Sequence, residues 1–138
     1  MILLDTNVIL DALIKSEKHH AWAIDQIVEA VSTEGAAANA VVLAELCAGD
    51  RRPEEVESDL RSWGIQIVDI PAASAAACGK AYRRYSLARK SSGGGAAPRM
   101  PLPDFFIGAH AQVMDWKLAT RDSERISRYF PSVELIMP

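Results

Sequence analysis

One feature constrains this chain more than any other. Short apolar segments, most ending at or just before a polar residue, alternate with longer helical stretches. Ile2-Leu3-Leu4 runs into Asp5, Ala36 to Ala38 into Asn39, Ile65 to Ile70 into Pro71, Lys117 to Thr120 toward Asp122, and Val133 to Ile136 is the last. Between them the spacing predicts helices over Val8 to Ile14, His20 to Ser32, Ala40 to Ala48, Pro53 to Gly64, Ala72 to Arg89 and Asp104 to Trp116, and a short one through Ile126 to Tyr129. Asn39 is the expected N-cap of the third, and Pro53 opens the fourth where proline is tolerated. Trp22, Ile24, Ile27, Val28 and Val31 supply the apolar face of the amphipathic stretch His20 to Ser32. Short apolar strands alternating with helices make an α/β fold: a parallel sheet with helices on both faces and right-handed crossovers. With 138 residues the chain is expected to be one domain, 1–138. Ser91 to Gly95 reads as a loop, because too little chain follows for a second core.

Several classes are set aside early. No apolar run approaches 18 residues, so no transmembrane helix is expected. The first residues lack a basic flank and are interrupted by Asp5 and Asp11, which argues against a signal peptide and for Met1 as the start of the fold. Cys47 and Cys78 lack metal-type spacing and read as small buried thiols of a cytoplasmic protein. The net charge of −3 does not fit a general DNA-coating protein. The distribution is uneven, however. From Ala72 to Pro103 there is no acid, while Lys80, Arg83, Arg84, Arg89, Lys90 and Arg99 fall there. Such a stretch suits a polyanion drawn toward an acidic site, and equally suits a solvated helix face.

In open parallel sheets, ligands bind beyond the carboxyl ends of the strands. Asp5 and Asp122 both follow strands, and Asp104 opens a helix. Taken singly, helix capping explains each aspartate. Glu45 shares a helix face with Val41 and Val42, which should point inward, and buried there a lone carboxylate is costly. An arginine partner, or a helix turned to face water, would relieve that cost. Together, four converging carboxylates stay ionised only if positive charge is supplied. Hard oxygen ligands without a histidine cluster suit Mg²⁺ or Mn²⁺, whose use is phosphoryl transfer.

The segments MILLDTNVILDAL, VVLAEL, PLPDFFIGAHA and LATRD resemble the four signature segments of a PIN domain, and of the toxin members of VapBC-type toxin–antitoxin pairs. The resemblance runs from Met1 almost to Pro138. It implies a five-stranded parallel sheet and Mg²⁺- or Mn²⁺-dependent cleavage of RNA. It implies Asp5, Glu45, Asp104 and Asp122 as the catalytic acids, with Asp5, Asp104 and Asp122 on metal. Thr6, Asn7 and Thr120 would orient carboxylates or water. It also implies an RNA substrate, a VapB-like antitoxin seated in an apolar groove between the early helices, and a homodimer. Arg121, Arg125 and Arg128 lie near the fourth acid and are candidates for RNA phosphates, Arg121 and Arg125 foremost, with an antitoxin carboxylate or solvent as alternatives.

Three other readings compete. A catalytically silent PIN-like binding or regulatory domain would keep the fold without the cation. A deoxyribonuclease would use the same chemistry. A phosphatase of the haloacid dehalogenase type needs a second aspartate where Asn7 stands. His19 and His20 read as surface residues at a helix start, His110 as structural, and Trp22, Trp63 and Trp116 as packing residues.

Overall fold

Ile2–Leu4 (β1) is buried throughout, with a neighbour on each side. In the computed structural model, which describes residues 1–138, it is the central strand of a five-stranded sheet. The other strands are Ala36–Asn39 (β2), Ile65–Val68 (β3), Lys117–Ala119 (β4) and Leu135–Ile136 (β5), and the order is β3-β2-β1-β4-β5. Every pairing is parallel; Leu3 lies opposite Ala37 on one side and Leu118 on the other. The expected parallel α/β sheet is therefore present. Small side chains in β2 suit a strand buried on both faces.

Seven helices complete the chain: Thr6–Leu13 (α1), His20–Ser32 (α2), Ala40–Ala48 (α3), Pro53–Ser62 (α4), Ser74–Ser91 (α5), Pro103–Met114 (α6) and Glu124–Tyr129 (α7). α1 packs on α2 and α3, and α3 on α4; α5, α6 and α7 pack on one another. Strand order reverses between β1 and β4, because the chain moves outward from β1 through β2 to β3 before returning to β4's side. That is the switch point at which an open sheet leaves a crevice. None of the helices is long and apolar enough to cross a membrane.

Local chemistry fixes the boundaries. The Asn39 side chain accepts from the N–H groups of Val41 and Val42 at 3.1 and 3.0 Å, ending β2 and starting α3 in one residue. This is also why β3 stops at Val68 and not at Ile70: its partner strand ends at Asn39, opposite Val68. A Cβ on Gly108 of α6 would collide with the fully buried Phe130 ring, so only glycine admits this close approach. His110 is buried, faces Asn39 at 3.2 Å and lies against Trp116, which confirms its structural role. Cys78 is buried and Cys47 half-buried; both are free thiols.

The apolar face of α2 is only partly covered: Ile27 is buried, but Val28 is 60% exposed and Ile24 and Val31 are also exposed. With Trp63 they line a groove of about 310 Å³ that no other element of the chain fills.

Candidate active site

Asp5 is set by the end of β1 and by its duty as N-cap of α1. Its Oδ1 accepts from the Thr6 N–H at 2.7 Å. Its Oδ2 accepts from the Thr120 hydroxyl at 2.7 Å and from the Asn7 amide at 3.0 Å. Thr120 immediately follows β4, so its bond to Asp5 joins the two strands across the switch point. The Thr120 Oγ1 in turn accepts from the Asp122 N–H at 3.1 Å, and Asn7 Oδ1 accepts from the Arg121 N–H at 3.2 Å. Asn7 and Thr120 thus hold the loop after β4 against the start of α1.

Burial dominates the electrostatics here. It raises the Asp5 carboxyl to about 6; hydrogen bonds from Thr120 and Thr6 oppose the rise, and the charges of Asp104 and Glu45 add to it. Asp104, at the start of α6, is also raised, first by burial; Arg125 opposes this and Asp122 reinforces it. These couplings place the four acids in one electrostatic neighbourhood. Asp11 belongs to the same region. Its carboxylate is 1% exposed, and its Oδ2 lies 2.8 Å from Arg121 Nε without hydrogen-bond alignment.

Glu45 is exposed, because α3 turns Val42 and Leu46 inward; it accepts from the Thr6 hydroxyl at 2.8 Å. Of the alternatives the sequence leaves open, the helix turned so that Glu45 faces water is the one found. Asp122 is exposed as well. Asp104 accepts from Arg125 at 2.9 Å, and that guanidinium stacks over Tyr85 at 5.4 Å. Arg125 and Arg121 are thus each tied to a carboxylate of this chain. No three His, Cys, Asp or Glu side chains are drawn together closely enough to hold a metal ion. The acids are coupled in pairs, Asp5 to Asp104 and to Glu45, and Asp104 to Asp122, and the cation beside Asp104 is a guanidinium.

The donor chemistry nonetheless fits a hard divalent cation. The groups here are carboxylates, hydroxyls, an amide and the Arg125 guanidinium, and Asp5 is bonded to no cationic side chain. Two residues escaped the sequence reading, Asp11 and Tyr85. The signal for Asp11 was its place four residues after Asn7, on the same face of α1.

A family model described as "PIN domain" matches residues 2–129. No curated protein matches the chain in sequence. Among solved structures, the chain is similar to VapBC2 from Rickettsia felis bound to a promoter DNA fragment, with 22% identity, TM-score 0.64, and coverage of 100% of this chain and 99% of that one. DNA-bound VapBC from Salmonella typhimurium is 20% identical with TM-score 0.65, covering 99% and 96%. FitAcB from Neisseria gonorrhoeae is 24% identical with TM-score 0.61, covering 99% and 96%. At these identities the structures speak to the fold.

Proposed function

The chain belongs to the PIN-domain family, a family of nucleases, and on that premise we propose that it is a Mg²⁺- or Mn²⁺-dependent endoribonuclease acting as the toxin of a toxin–antitoxin pair. The observation that carries this reading is the buried Asp5 carboxylate at the switch point, held by Thr6, Asn7 and Thr120 with no cationic side chain bonded to it. Asp5, Asp104 and Asp122 are the residues to hold the ion. Bound there, it supplies charge neutralisation for a phosphodiester and lowers the pKa of water. Thr120 and Asn7 keep both lone-pair directions of Asp5 Oδ2 fixed, so that carboxylate cannot rotate away. Glu45, steadied by the Thr6 hydroxyl, would position the attacking water or help to hold a second ion. Arg125 must release Asp104 for the ion and is then free for an RNA phosphate.

The VapBC and FitAcB complexes support a protein partner by analogy. A VapB-like antitoxin fits the groove of about 270 Å³ where Leu10, Leu13 and Ile14 of the α1 region face Leu46, Val56 and Trp63. A homodimer and a cytoplasmic setting belong to the same reading. Incubating the purified protein with total RNA, with and without Mn²⁺, and mapping the ends is the test. Metal-dependent internal cuts are expected, and intact RNA in Mn²⁺ would refute the proposal.

One observation favours a second reading, a catalytically silent binding domain: the Arg125–Asp104 pair already neutralises one proposed ligand. That reading predicts no cleavage and no stabilisation by Mn²⁺.

A further inference from the structure

The cations of this chain fall into two groups. Arg52, Arg61, Lys117, Arg121 and Arg125 are in ion pairs with carboxylates. The other ten are not, among them Arg84, Arg89 and Arg128 on α5 and α7. Arg84 donates to the Tyr129 carbonyl at 2.8 Å and Arg89 contacts the Tyr85 hydroxyl at 3.4 Å. The exposed Arg128 guanidinium lies over the Tyr129 ring at 5.5 Å and has no carboxylate partner.

Arg89 and Arg128, but not Arg84, line two neighbouring cavities. One cavity of about 280 Å³ lies between Asp122, Glu124, Arg125 and Tyr85. A second, of about 240 Å³, is bounded by Ala88, Arg89 and Ser92. Both are lined by Tyr85, Arg128 and Tyr129, so the two adjoin, and together they form a cleft along α5 and α7. The cleft is polarised: its acids, Asp122 and Glu124, stand at the crevice end, and Arg89 stands at the far end. The lining face of α5 repeats at Tyr85, Ala88, Arg89 and Ser92, the spacing of one helix face. No residue of α5 is acidic.

We propose that this cleft is the track of single-stranded RNA beside the scissile phosphate, with Arg128 and Arg89 each contacting a backbone phosphate. The inference rests on the reading of Asp104 and Asp122 as acids of the reaction centre. Tyr129 is 7% exposed and serves as a wall for Arg128, not as a base-stacking platform. The cleft therefore reads phosphate and not base identity.

The test is the affinity of a fluorescent rU12 oligonucleotide for the full chain in EDTA, by anisotropy over a range of salt. The R89A/R128A variant should bind roughly tenfold more weakly at low salt. Its salt slope should fall by about 1.4, at ~0.7 per phosphate contact to a single strand. R89K/R128K keeps both charges and should retain the slope. K15A/K18A removes two exposed cations elsewhere and should bind as the parent does. Circular dichroism melting checks that each variant is folded. Unchanged affinity and slope in folded R89A/R128A would overturn the proposal, as would equal losses in K15A/K18A or no binding of rU12 by the parent. Because binding is read without metal, the two readings fail separately. Cleft-dependent binding without Mn²⁺-driven cleavage would sink the nuclease alone; cleavage with cleft-independent binding would sink the track alone.

Discussion

The two halves of the crevice are built differently. On the β1–β4 side, Asp5 is buried and takes three hydrogen bonds, and Thr120 is fully buried beside it. On the α3, α6 and α7 side, Glu45 and Asp122 are exposed, and Asp104 is held by an arginine. One half is fixed by the sheet; the other moves with side chains. The fixed half stores unfavourable charge, since burial raises Asp5 to about 6, whereas the exposed acids are solvated. A site of this kind keeps one ligand rigid and lets the others adjust around the ion.

That contrast orders the effects of substitution. Asp5→Asn should remove Mn²⁺-dependent RNA cleavage, a loss on the order of a thousandfold or more, measured as initial rates on a labelled transcript. Near-normal cleavage by this variant would erase the distinction between the halves. Thr120→Val removes the 2.7 Å bond to Asp5 and should cost roughly 10–100-fold in metal affinity or rate, as is typical of residues that orient ligands. Glu45→Gln, on the adjustable side, should cost less than Thr120→Val in the same assay. The reverse order would place the rigid half at α3.

Stability against pH sharpens the same comparison. Asp5 ionises near 3.8 when unfolded and near 6 when folded. Between those values the folded chain holds the extra proton, so stability falls as pH rises through the window and levels off above it. The fall is at most ~3 kcal/mol. Guanidinium unfolding in EDTA at pH 4 and pH 7 should show a smaller loss in Asp5→Asn than in the parent. An equal loss in both would mean that Asp5 is not desolvated. The smallest expected effect is that of Asp11→Asn. It breaks a pair whose arginine is 43% exposed, which limits the loss to about 1 kcal/mol.

Much of this was legible from residue order. The alternation of apolar runs and helices gave the parallel sheet, and the turn residues Asn39, Gly49 and Pro53 marked boundaries to within a residue or two. The position of Asp5 followed from the rule for strand ends. What remained hidden depended on rotation and reach. An apolar neighbourhood did not reveal that α3 turns Glu45 to solvent, because a single exposed position interrupts an otherwise inward face. Sequence distance concealed the Arg125–Asp104 and Arg121–Asp11 pairs, which join residues brought together only by the sheet. The partly uncovered face of α2 was illegible for a similar reason: periodicity reports an apolar stripe, not what lies against it.

The most direct measurement is a Mn²⁺ titration of the parent and Asp5→Asn, followed by calorimetry and thermal unfolding. If Asp5 anchors the ion, the parent should bind Mn²⁺ and gain about 2.7 kcal/mol at a hundredfold excess over Kd. The variant should gain little. Equal stabilisation of both proteins, or none of the parent, would contradict a divalent ion held at the end of β1.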